Sequence, residues 1–494
     1  MAANVAVTRK NLDFLPDARR VITKPFIPGD DVSVAGRSRV RGILGRILDL
    51  PEAVVVSTLQ ETRKRFSGRH SDLERVFDQN FATVAHHVEH PNTLSLERRQ
   101  LIGAYFTSEY AVDAAALSNP SLVPAPDQTG VAAGACRFVM SLRAIGEGHV
   151  SSIQFRSGIL DADGEIALDP PGQYLTTAAR MAPLFDKPTF RAKLTEIHSF
   201  TPTTAAVLDG IPDHFTLLDL ESAMRRIERA SDQDQATLKA TRTMHWLASS
   251  NYQSSFDPAS SLSERVLFPA GPTESHGMED ARFVRFVGDD GAITYYASYS
   301  AYDGYQVLPQ LIETTDFLHF RVATLNGPCA INKGIALFPR KLDGRFVALA
   351  RLDNENNHLI RSDSVHFWFE RETLQSPESP WELVQLGNCG SPLETEAGWL
   401  VITHGVGPLR QYVLGAILLD THDPSRIRGR LREPLLAPAP DERDGYTPNV
   451  VYSCGSMIVG DRLVLPYGFS DVGARIATVR VSDLLTELVG PSRV

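Results

Sequence analysis

A pattern of paired apolar segments returns five times along this chain, and it constrains the fold more than any other feature. In each copy a short apolar run ends at a polar or charged residue, a loop follows, and a second, alternating strand comes next. The copies lie about 50 to 70 residues apart except for one long gap, a period typical of propeller blades. The five pairs are Arg137–Arg143 with Val150–Ser157, Ile293–Asp303 with Gln310–Phe317, Arg345–Arg351 with His358–Asp363, Gly398–His404 with Tyr412–Asp420, and Arg462–Gly468 with Ala474–Val481.

One strand pair cannot bury both of its faces, so the copies need to stack around an axis to make a core. The pattern therefore predicts a mainly β protein whose catalytic domain, residues 116–485, is a five-bladed β-propeller. A two-sheet β-sandwich is the alternative, and the regular return of the same strand pair disfavours it.

Two regions depart from the β pattern. Residues 1–115 are predicted to form an N-terminal helical extension, with a capping box at Ser71–Glu74 and a second helix that runs from Ser95 through the alanines at 114–116. Helical spacing returns at about 180–250, which predicts a helical insertion in the first blade region. Residues 486–494 are assigned to a C-terminal tail.

Charge and cysteine content exclude several classes of protein. The net charge is −10, which argues against a general nucleic-acid or anionic-membrane binder. No apolar run approaches a membrane span, and no apolar signal core opens the chain. The four cysteines are scattered, as in a reducing compartment. We therefore expect a cytoplasmic protein that binds neither nucleic acid nor membrane.

Two adjacent carboxylates in the middle of the chain are the strongest candidates for chemistry. Glu279 and Asp280 precede Arg282, and an alternating apolar run follows them. The guanidinium can hold one carboxylate ionised and leave the other to handle a proton. A surface turn with a solvated salt bridge is the simpler interpretation of such a motif. The repeat in which the motif lies favours a site at the mouth of a strand.

Other polar residues are predicted to converge on the same funnel, because the inner strands of a propeller bring their ends to its axis. Asn119 lies just upstream of the first copy. The strand ends carry Arg143, Tyr302, Asp303, Arg351, His404 and Asp471. Donors suited to a phosphate are Lys333, Arg351, His404 and Tyr412.

Six motifs, which occur in order between about Ala115 and Leu485, resemble glycoside hydrolase family 130, the β-mannoside phosphorylases and related β-mannosidases. The sequence departs from the family pattern at Ala281, where proline is usual, and at Leu349-Ala-Arg351, where His-Arg-Pro is common. The motifs are Gly277–Phe283, Asn332–Pro339, Ser391–Trp399, Thr403–Gly405, Pro448–Val451 and Tyr467-Gly-x-x-Asp471.

The resemblance implies a five-bladed propeller and an inverting reaction. Asp280 is then the general acid, which relays its proton to the glycosidic oxygen through the mannose 3-hydroxyl while phosphate attacks C1 from the opposite face. Inorganic phosphate is the co-substrate, and no metal ion or other cofactor is expected. The resemblance assigns the mannosyl unit to Asn119, Arg143, Arg282 and Asp471, and phosphate to Lys333, Arg351, His404 and Tyr412. From their positions, Glu279, Tyr302 and Asp303 are further substrate-binding candidates.

Two other functions stay open at this point. An inverting β-mannosidase would use water on the same scaffold, with Glu394 or Glu396 as candidate bases. A non-catalytic propeller would bind a glycan or a protein. The helical extension either forms a homo-oligomer interface or covers the funnel, and the sequence does not choose between these roles.

Overall fold

Strands dominate the computed structural model, which describes residues 5–29, 38–181, 183–231 and 234–490. It is 37% strand and 26% helix, so the predicted mainly β class is confirmed. No helix in these residues is long and apolar enough to cross a membrane. The chain divides into two compact units, one formed by residues 17–114 and 172–176 and the other by residues 1–16, 115–171 and 177–494.

The first of these, the helical unit, packs helices around an apolar core that includes Leu44, Leu59, Phe77 and Ile102. A two-stranded antiparallel sheet completes it. Its α-helices in the described residues are Arg39–Leu48, Glu52–Phe66, Leu73–Val84 and Leu96–Tyr105, and its two strands are Val21–Pro25 and Thr107–Ala111.

Two helix boundaries predicted for this region are wrong. The third helix is capped by Asp72 rather than Ser71, because the Asp72 carboxylate accepts a hydrogen bond from Arg75 N at 3.2 Å. The fourth helix ends at Tyr105 and does not continue through the alanines. Ala116 pairs instead with Ile145 in a strand, because tertiary pairing overrides the high intrinsic helix propensity of alanine.

The other unit contains five groups of antiparallel strands, called here the first to the fifth sheet. The first and second groups are continuous, because Gly277 pairs in parallel with Ser151. All five predicted strand pairs are present as neighbouring antiparallel strands, so this part of the prediction is confirmed. The first sheet comprises Ala116–Pro124, Cys136–Ile145, Ser151–Leu160, Ile166–Leu168 and Arg265–Leu267; the second Gly277–Val287, Ile293–Tyr302, Val307–Thr314, His319–Thr324, Tyr252–Ser255 and Ala179–Met181; the third Lys333–Leu337, Phe346–Arg351, Asn357–Ser362 and Glu370–Gln375; the fourth Gln385–Asn388, Leu393–Thr395, Gly398–Val406, Tyr412–Leu419 and Ile427–Arg430; and the fifth Val451–Tyr452, Met457–Val459, Arg462–Phe469, Gly473–Arg480 and Val7–Arg9.

The five sheets contact one another in a closed cycle. Each sheet is joined to the next by a hydrogen bond from or beside its first strand, and the fifth is joined back to the first. The bonds are Phe283 N to Ser121 Oγ at 3.0 Å, Lys333 Nζ to Glu279 Oε2 at 2.9 Å, Asn388 Nδ2 to Gly334 O at 2.7 Å, Tyr412 N to Asn449 O at 3.1 Å, and Cys454 N to Pro120 O at 2.9 Å.

Apolar cores lie between consecutive sheets. Trp399 and Ile417 of the fourth sheet pack with Phe338 and Leu349 of the third, for example. Every residue of Gly398–Val406 is buried, because both faces of that strand are covered. This arrangement explains why the sequence of that strand is apolar over most of its length.

A repeated side-chain contact supports the internal repeat. Before the second sheet, the buried carboxylate of Glu274 accepts a hydrogen bond from Tyr299 of the second strand. Before the fifth sheet, buried Glu442 accepts one from Tyr467 at the same place, at 2.6 Å. Each carboxylate ties the entering loop to its sheet.

The helical insertion is present, but it belongs to the second sheet rather than the first. The strands that flank it, Ala179–Met181 and Tyr252–Ser255, pair with each other and extend the outer edge of the second sheet. Its α-helices in the described residues are Lys187–Glu196, Pro202–Asp209, Leu217–Ala230 and Gln235–Ser249. Its two short antiparallel strands are Phe185–Asp186 and His214–Phe215.

The chain termini also differ from the predicted domain boundaries. Val7–Arg9 pairs with the last strand of the fifth sheet, so the helical extension does not include the first 16 residues. Helix Val481–Val489 packs with buried residues of the fourth and fifth sheets and takes up part of the predicted tail. Residues 491–494 of that tail lie outside the described part of the chain.

Candidate active site

A bulge in the first strand of the second sheet positions the paired carboxylates. The pairing register with the neighbouring strand shifts between Glu279 and Arg282, and Asp280 has a left-handed backbone with φ of 57°. Side chains normally alternate between the two faces of a strand, and the bulge interrupts this alternation. Asp tolerates the left-handed region better than most residues.

The same distortion recurs in neighbouring sheets. Asn119 has φ of 50° in a bulge between Ser118 and Ser121 of the first sheet. In the third sheet the register shifts after Lys333, where Gly334 has φ of 84°. The bulges therefore lie on the first strands of consecutive sheets, where these strands contact each other.

Asp280 is partly exposed and surrounded by cations. It accepts a short hydrogen bond from Asn119 Nδ2. Burial alone would raise the pKa of Asp280, but Lys333, Arg143 and Arg282 together with the Asn119 bond bring that pKa below its ordinary value. With these neighbours the carboxyl group is ionised at neutral pH.

Glu279 forms ion pairs with two cations from two other sheets. Its Oε1 accepts from Arg143 Nη2 of the first sheet at 2.7 Å, and its Oε2 accepts from Lys333 Nζ of the third sheet at 2.9 Å. The Glu279 side chain is 15% exposed. Both of its oxygens are thus engaged within the protein.

Arg282 is a buried structural centre of the cluster, with 3% of its surface exposed. Its Nη1 donates to Asn388 Oδ1 at 2.7 Å, and its Nη2 donates to Tyr452 Oη at 2.6 Å. The guanidinium therefore links the second sheet to the fourth and the fifth. Its charge also contributes to the low pKa of Asp280.

A cationic niche adjoins the carboxylates. Lys333 and Arg351 are direct partners on neighbouring strands of the third sheet. Arg351 Nη1 lies 3.3 Å from His404 Nε2, and the imidazole of His404 stacks on Tyr412 with ring centroids 6.0 Å apart. With its amide oxygen turned to Arg351, the Gln385 side chain accepts from Nη1 at 2.9 Å. The niche thus holds two cations and two aromatic rings.

His404 is neutral rather than cationic. The residue is 1% exposed, and burial together with the charges of Arg351 and Arg282 holds its pKa well below the ordinary value. Lys333 and Arg351 can give charge-assisted hydrogen bonds to an anion, whereas His404 can offer only a neutral hydrogen bond.

Asp471 lies at the junction of the fifth and first sheets. It has φ of 50°, accepts a short hydrogen bond from Thr447 and lies 3.4 Å from the hydroxyl of Ser118. Its charge also acts on Arg143. Asp471 is therefore part of the same cluster, next to Asn119.

Two predicted site residues make other contacts. The Asp303 carboxylate accepts from the backbone nitrogens of Tyr305 and Gln306, both at 2.9 Å, so it caps its own turn. Tyr302 Oη donates to Gly304 O at 3.0 Å in the same turn. The other ten predicted residues are linked by the contacts described above.

Sequence reasoning missed the residues that hold the cluster in place. Asn388 and Tyr452 bind Arg282, and Gln385 contacts the niche. Tyr452 directly follows the Pro448–Val451 motif, which was the available signal. In the described residues, no group of three or more His, Cys, Asp or Glu side chains could hold a metal ion.

The two candidate bases for hydrolysis lie at the other end of the fourth sheet. Glu394 pairs with Trp399, five residues before His404 on the adjacent strand, which puts it about 16 Å from the niche. Its carboxylate forms an exposed ion pair with Arg340 at 2.6 Å. Glu396 is exposed in the turn that follows. Neither residue is placed to activate water beside Asp280.

The low pKa of His404 predicts a pH-dependent stability. The unfolded state takes up a proton as pH falls below about 6.5, whereas the folded state does not, so the free energy of unfolding should fall by up to about 1.4 kcal/mol per pH unit from this group. In His404→Gln this contribution disappears. Denaturant unfolding between pH 5 and 7.5 should therefore show a shallower slope in the variant.

Part of the pH dependence of unfolding that remains in His404→Gln comes from another buried histidine. Burial also lowers the pKa of His366, to about 3, and this group is unchanged by the substitution. Parallel pH profiles for the two proteins would contradict the neutral state of His404.

Comparison with known proteins gives consistent matches. A family model described as beta-1,4-mannooligosaccharide phosphorylase matches residues 251–488. The 1,2-beta-oligomannan phosphorylase of Thermoanaerobacter sp. (strain X514) is 32% identical over 230 residues, which are 45% of this chain and 75% of that protein. The beta-1,2-mannobiose phosphorylase of Listeria innocua is 31% identical over 229 residues, which are 45% of this chain and 63% of that protein.

Solved structures also show similarity to this chain. The beta-1,2-mannobiose phosphorylase of Listeria innocua in complex with beta-1,2-mannobiose has a TM-score of 0.45 and 19% identity, and covers 77% of this chain and 93% of that one. A thermostable family-43 glycoside hydrolase has a TM-score of 0.34 and 10% identity, and covers 74% of this chain and 89% of that one.

Proposed function

Because the chain belongs to glycoside hydrolase family 130, the β-mannoside phosphorylases, we propose that it catalyses the inverting phosphorolysis of β-mannosides. A β-mannosyl-acceptor and inorganic phosphate give α-mannose 1-phosphate and the free acceptor. The five sheets act as the blades of a propeller, and the site lies where their first strands meet.

One observation carries this proposal: Asp280 adjoins a niche that holds Lys333 and Arg351 on facing positions of one sheet, while the neighbouring carboxylate, Glu279, has both oxygens held by cations. A hydrolase needs a second free carboxylate to activate water. A phosphorylase needs instead a cationic place for the nucleophile, since phosphate carries its own negative oxygens.

The charges also explain how Asp280 serves as an acid although its cationic neighbours lower its pKa. A phosphate dianion beside Lys333 offsets part of the positive potential that keeps Asp280 ionised. Phosphate binding therefore raises the pKa of Asp280, and the carboxyl group takes up the proton that the reaction needs. The acid becomes protonated when the nucleophile is present.

The bond changes follow from these roles. The bond between C1 and the acceptor oxygen breaks as a phosphate oxygen bonds to C1 from the opposite face. Asp280 delivers its proton to the leaving oxygen through the 3-hydroxyl of the mannosyl unit, which Asn119, Arg143 and Asp471 hold. The proton of the hydrogen phosphate dianion passes from the product and restores the acid.

The linkage is proposed from the relatives. Two curated phosphorylases that are 31–32% identical to this chain act by name on 1,2-linked β-mannosides, and one that is 28% identical acts by name on 1,4-linked ones. We therefore take β-1,2-mannobiose as the first substrate to test, with β-1,4-mannobiose beside it.

The test is an incubation of β-1,2-mannobiose with and without phosphate. We expect one equivalent each of mannose and α-mannose 1-phosphate with phosphate, as identified by NMR, and no cleavage without it. Release of two mannose equivalents without phosphate would identify a hydrolase. A protein inert towards both mannobioses, with and without phosphate, would contradict the proposal and favour a binding module.

A further inference from the structure

Glu279 has an unusual position for a residue expected to bind substrate. It is adjacent to the proposed acid, yet each of its oxygens is held by a cation from a different sheet, Arg143 at 2.7 Å and Lys333 at 2.9 Å. Its side chain is only 15% exposed, and both of its oxygens are held by protein groups. It is also the only residue that bridges these two cations among the contacts of the described chain.

The two cations belong to different halves of the proposed site. Arg143 is assigned to the mannosyl unit and Lys333 to phosphate. Arg143 is further fixed by its Nε, which donates to Ser151 Oγ at 2.9 Å. A lysine ammonium has three donors and an arginine five, so both cations retain donors for a ligand while they hold Glu279.

We propose that Glu279 is a positioning residue that couples the binding of phosphate to the binding of the mannosyl unit. This inference rests on the proposed function, because it uses the assignment of the two cations. A ligand on either cation orders the Arg143–Glu279–Lys333 bridge, and the second ligand then binds to a bridge that is already ordered. The result is positive and reciprocal cooperativity.

The effect of the bridge can be separated from the effect of its charge. Removal of one negative charge from a site that binds an anion would by itself tighten phosphate binding. Removal of that charge would not make the binding of the neutral sugar independent of the binding of phosphate. A loss of coupling between the two ligands is therefore an effect of the broken bridge. A change in phosphate affinity without a loss of coupling is an effect of the missing charge.

The experiment measures the dissociation constant of inorganic phosphate by calorimetry, with and without saturating mannose. In the wild-type protein we expect mannose to tighten phosphate binding at least about five-fold. In Glu279→Gln the carboxamide can accept from only one cation and turns an N–H towards the other, so the ratio should fall to about one. Glu279→Asp keeps the charge but is one methylene too short to reach both cations, and it should also lose the coupling.

A matched control comes from another glutamate–arginine pair. Glu394 accepts from Arg340 at 2.6 Å on the exposed edge of the fourth sheet, so Glu394→Gln should keep the wild-type ratio. Thermal melts confirm that each variant is folded, and Glu279→Asp serves if Glu279→Gln does not fold. The proposal would be overturned if mannose tightened phosphate binding in both Glu279 variants as much as in the wild-type protein. It would also be overturned if mannose left phosphate binding in the wild-type protein unchanged.

These outcomes are distinct from failure of the proposed function. Formation of α-mannose 1-phosphate by a wild-type protein without coupling would leave phosphorolysis intact and reject the role of Glu279. Coupling that is lost in the Glu279 variants of a protein that makes no mannose 1-phosphate would support the bridge and reject the reaction.

Discussion

Replacement of Asp280 by asparagine is expected to lower kcat for α-mannose 1-phosphate formation by about 10³-fold. The amide has nearly the shape of the carboxyl group, so the contact with Asn119 can be kept, but it cannot deliver a proton to the leaving oxygen. The effect should appear in kcat, since the acid acts in the transition state. Initial rates of mannose 1-phosphate release from β-1,2-mannobiose measure it.

The same substitution elsewhere on the same strand pair provides the control. Asp290 lies in the exposed turn at the far end of this hairpin, where its carboxylate accepts from Ala292 N at 3.0 Å. Asp290→Asn should keep wild-type activity, because an amide oxygen can accept the same bond. If Asp280→Asn retained more than about a tenth of wild-type kcat, another residue would have to be the acid.

Replacement of Lys333 by methionine should raise the KM for phosphate by about 30- to 150-fold. A charge-assisted hydrogen bond to phosphate contributes about 2–3 kcal/mol, and its loss gives this factor. The substitution also leaves one Glu279 oxygen without its cation, next to the anion that has to bind. Phosphate titrations at saturating mannobiose give the KM.

Lys341→Met provides the comparison for that variant. Lys341 forms an exposed ion pair with Asp289 at 2.9 Å near the third sheet, so its loss should change neither KM nor kcat beyond about two-fold. An unchanged KM for phosphate in Lys333→Met, with lower affinity for mannobiose instead, would move Lys333 from the phosphate half of the site to the mannosyl half.

The site residues could be predicted to the extent that they lie in short ordered motifs. The adjacent Glu279 and Asp280 and the strand-end residues Arg351 and His404 are visible as residue types at the ends of apolar runs. Asp303 fits the same rule, yet it caps its own turn. Residue type and spacing therefore select candidates, but they do not show which hydrogen-bond partner a side chain has in the folded protein.

The left-handed residues were beyond sequence reasoning. Asn119, Asp280 and Asp471 all have positive φ, and each adopts it inside or next to a pairing that a neighbouring strand imposes. Asn and Asp tolerate this conformation in many turns as well. Nothing in the local sequence shows that these three do so where adjacent sheets meet.

The order of the strands and their pairing into five repeats were determined by the sequence itself, because side-chain alternation and turn residues act between neighbours along the chain. Only the tertiary structure decided which contacts join the five sheets and that the insertion extends the second of them. It alone also made Glu279 the common partner of Arg143 and Lys333. These contacts join residues 54 and 136 positions apart, so they depend on how whole sheets pack rather than on any local preference.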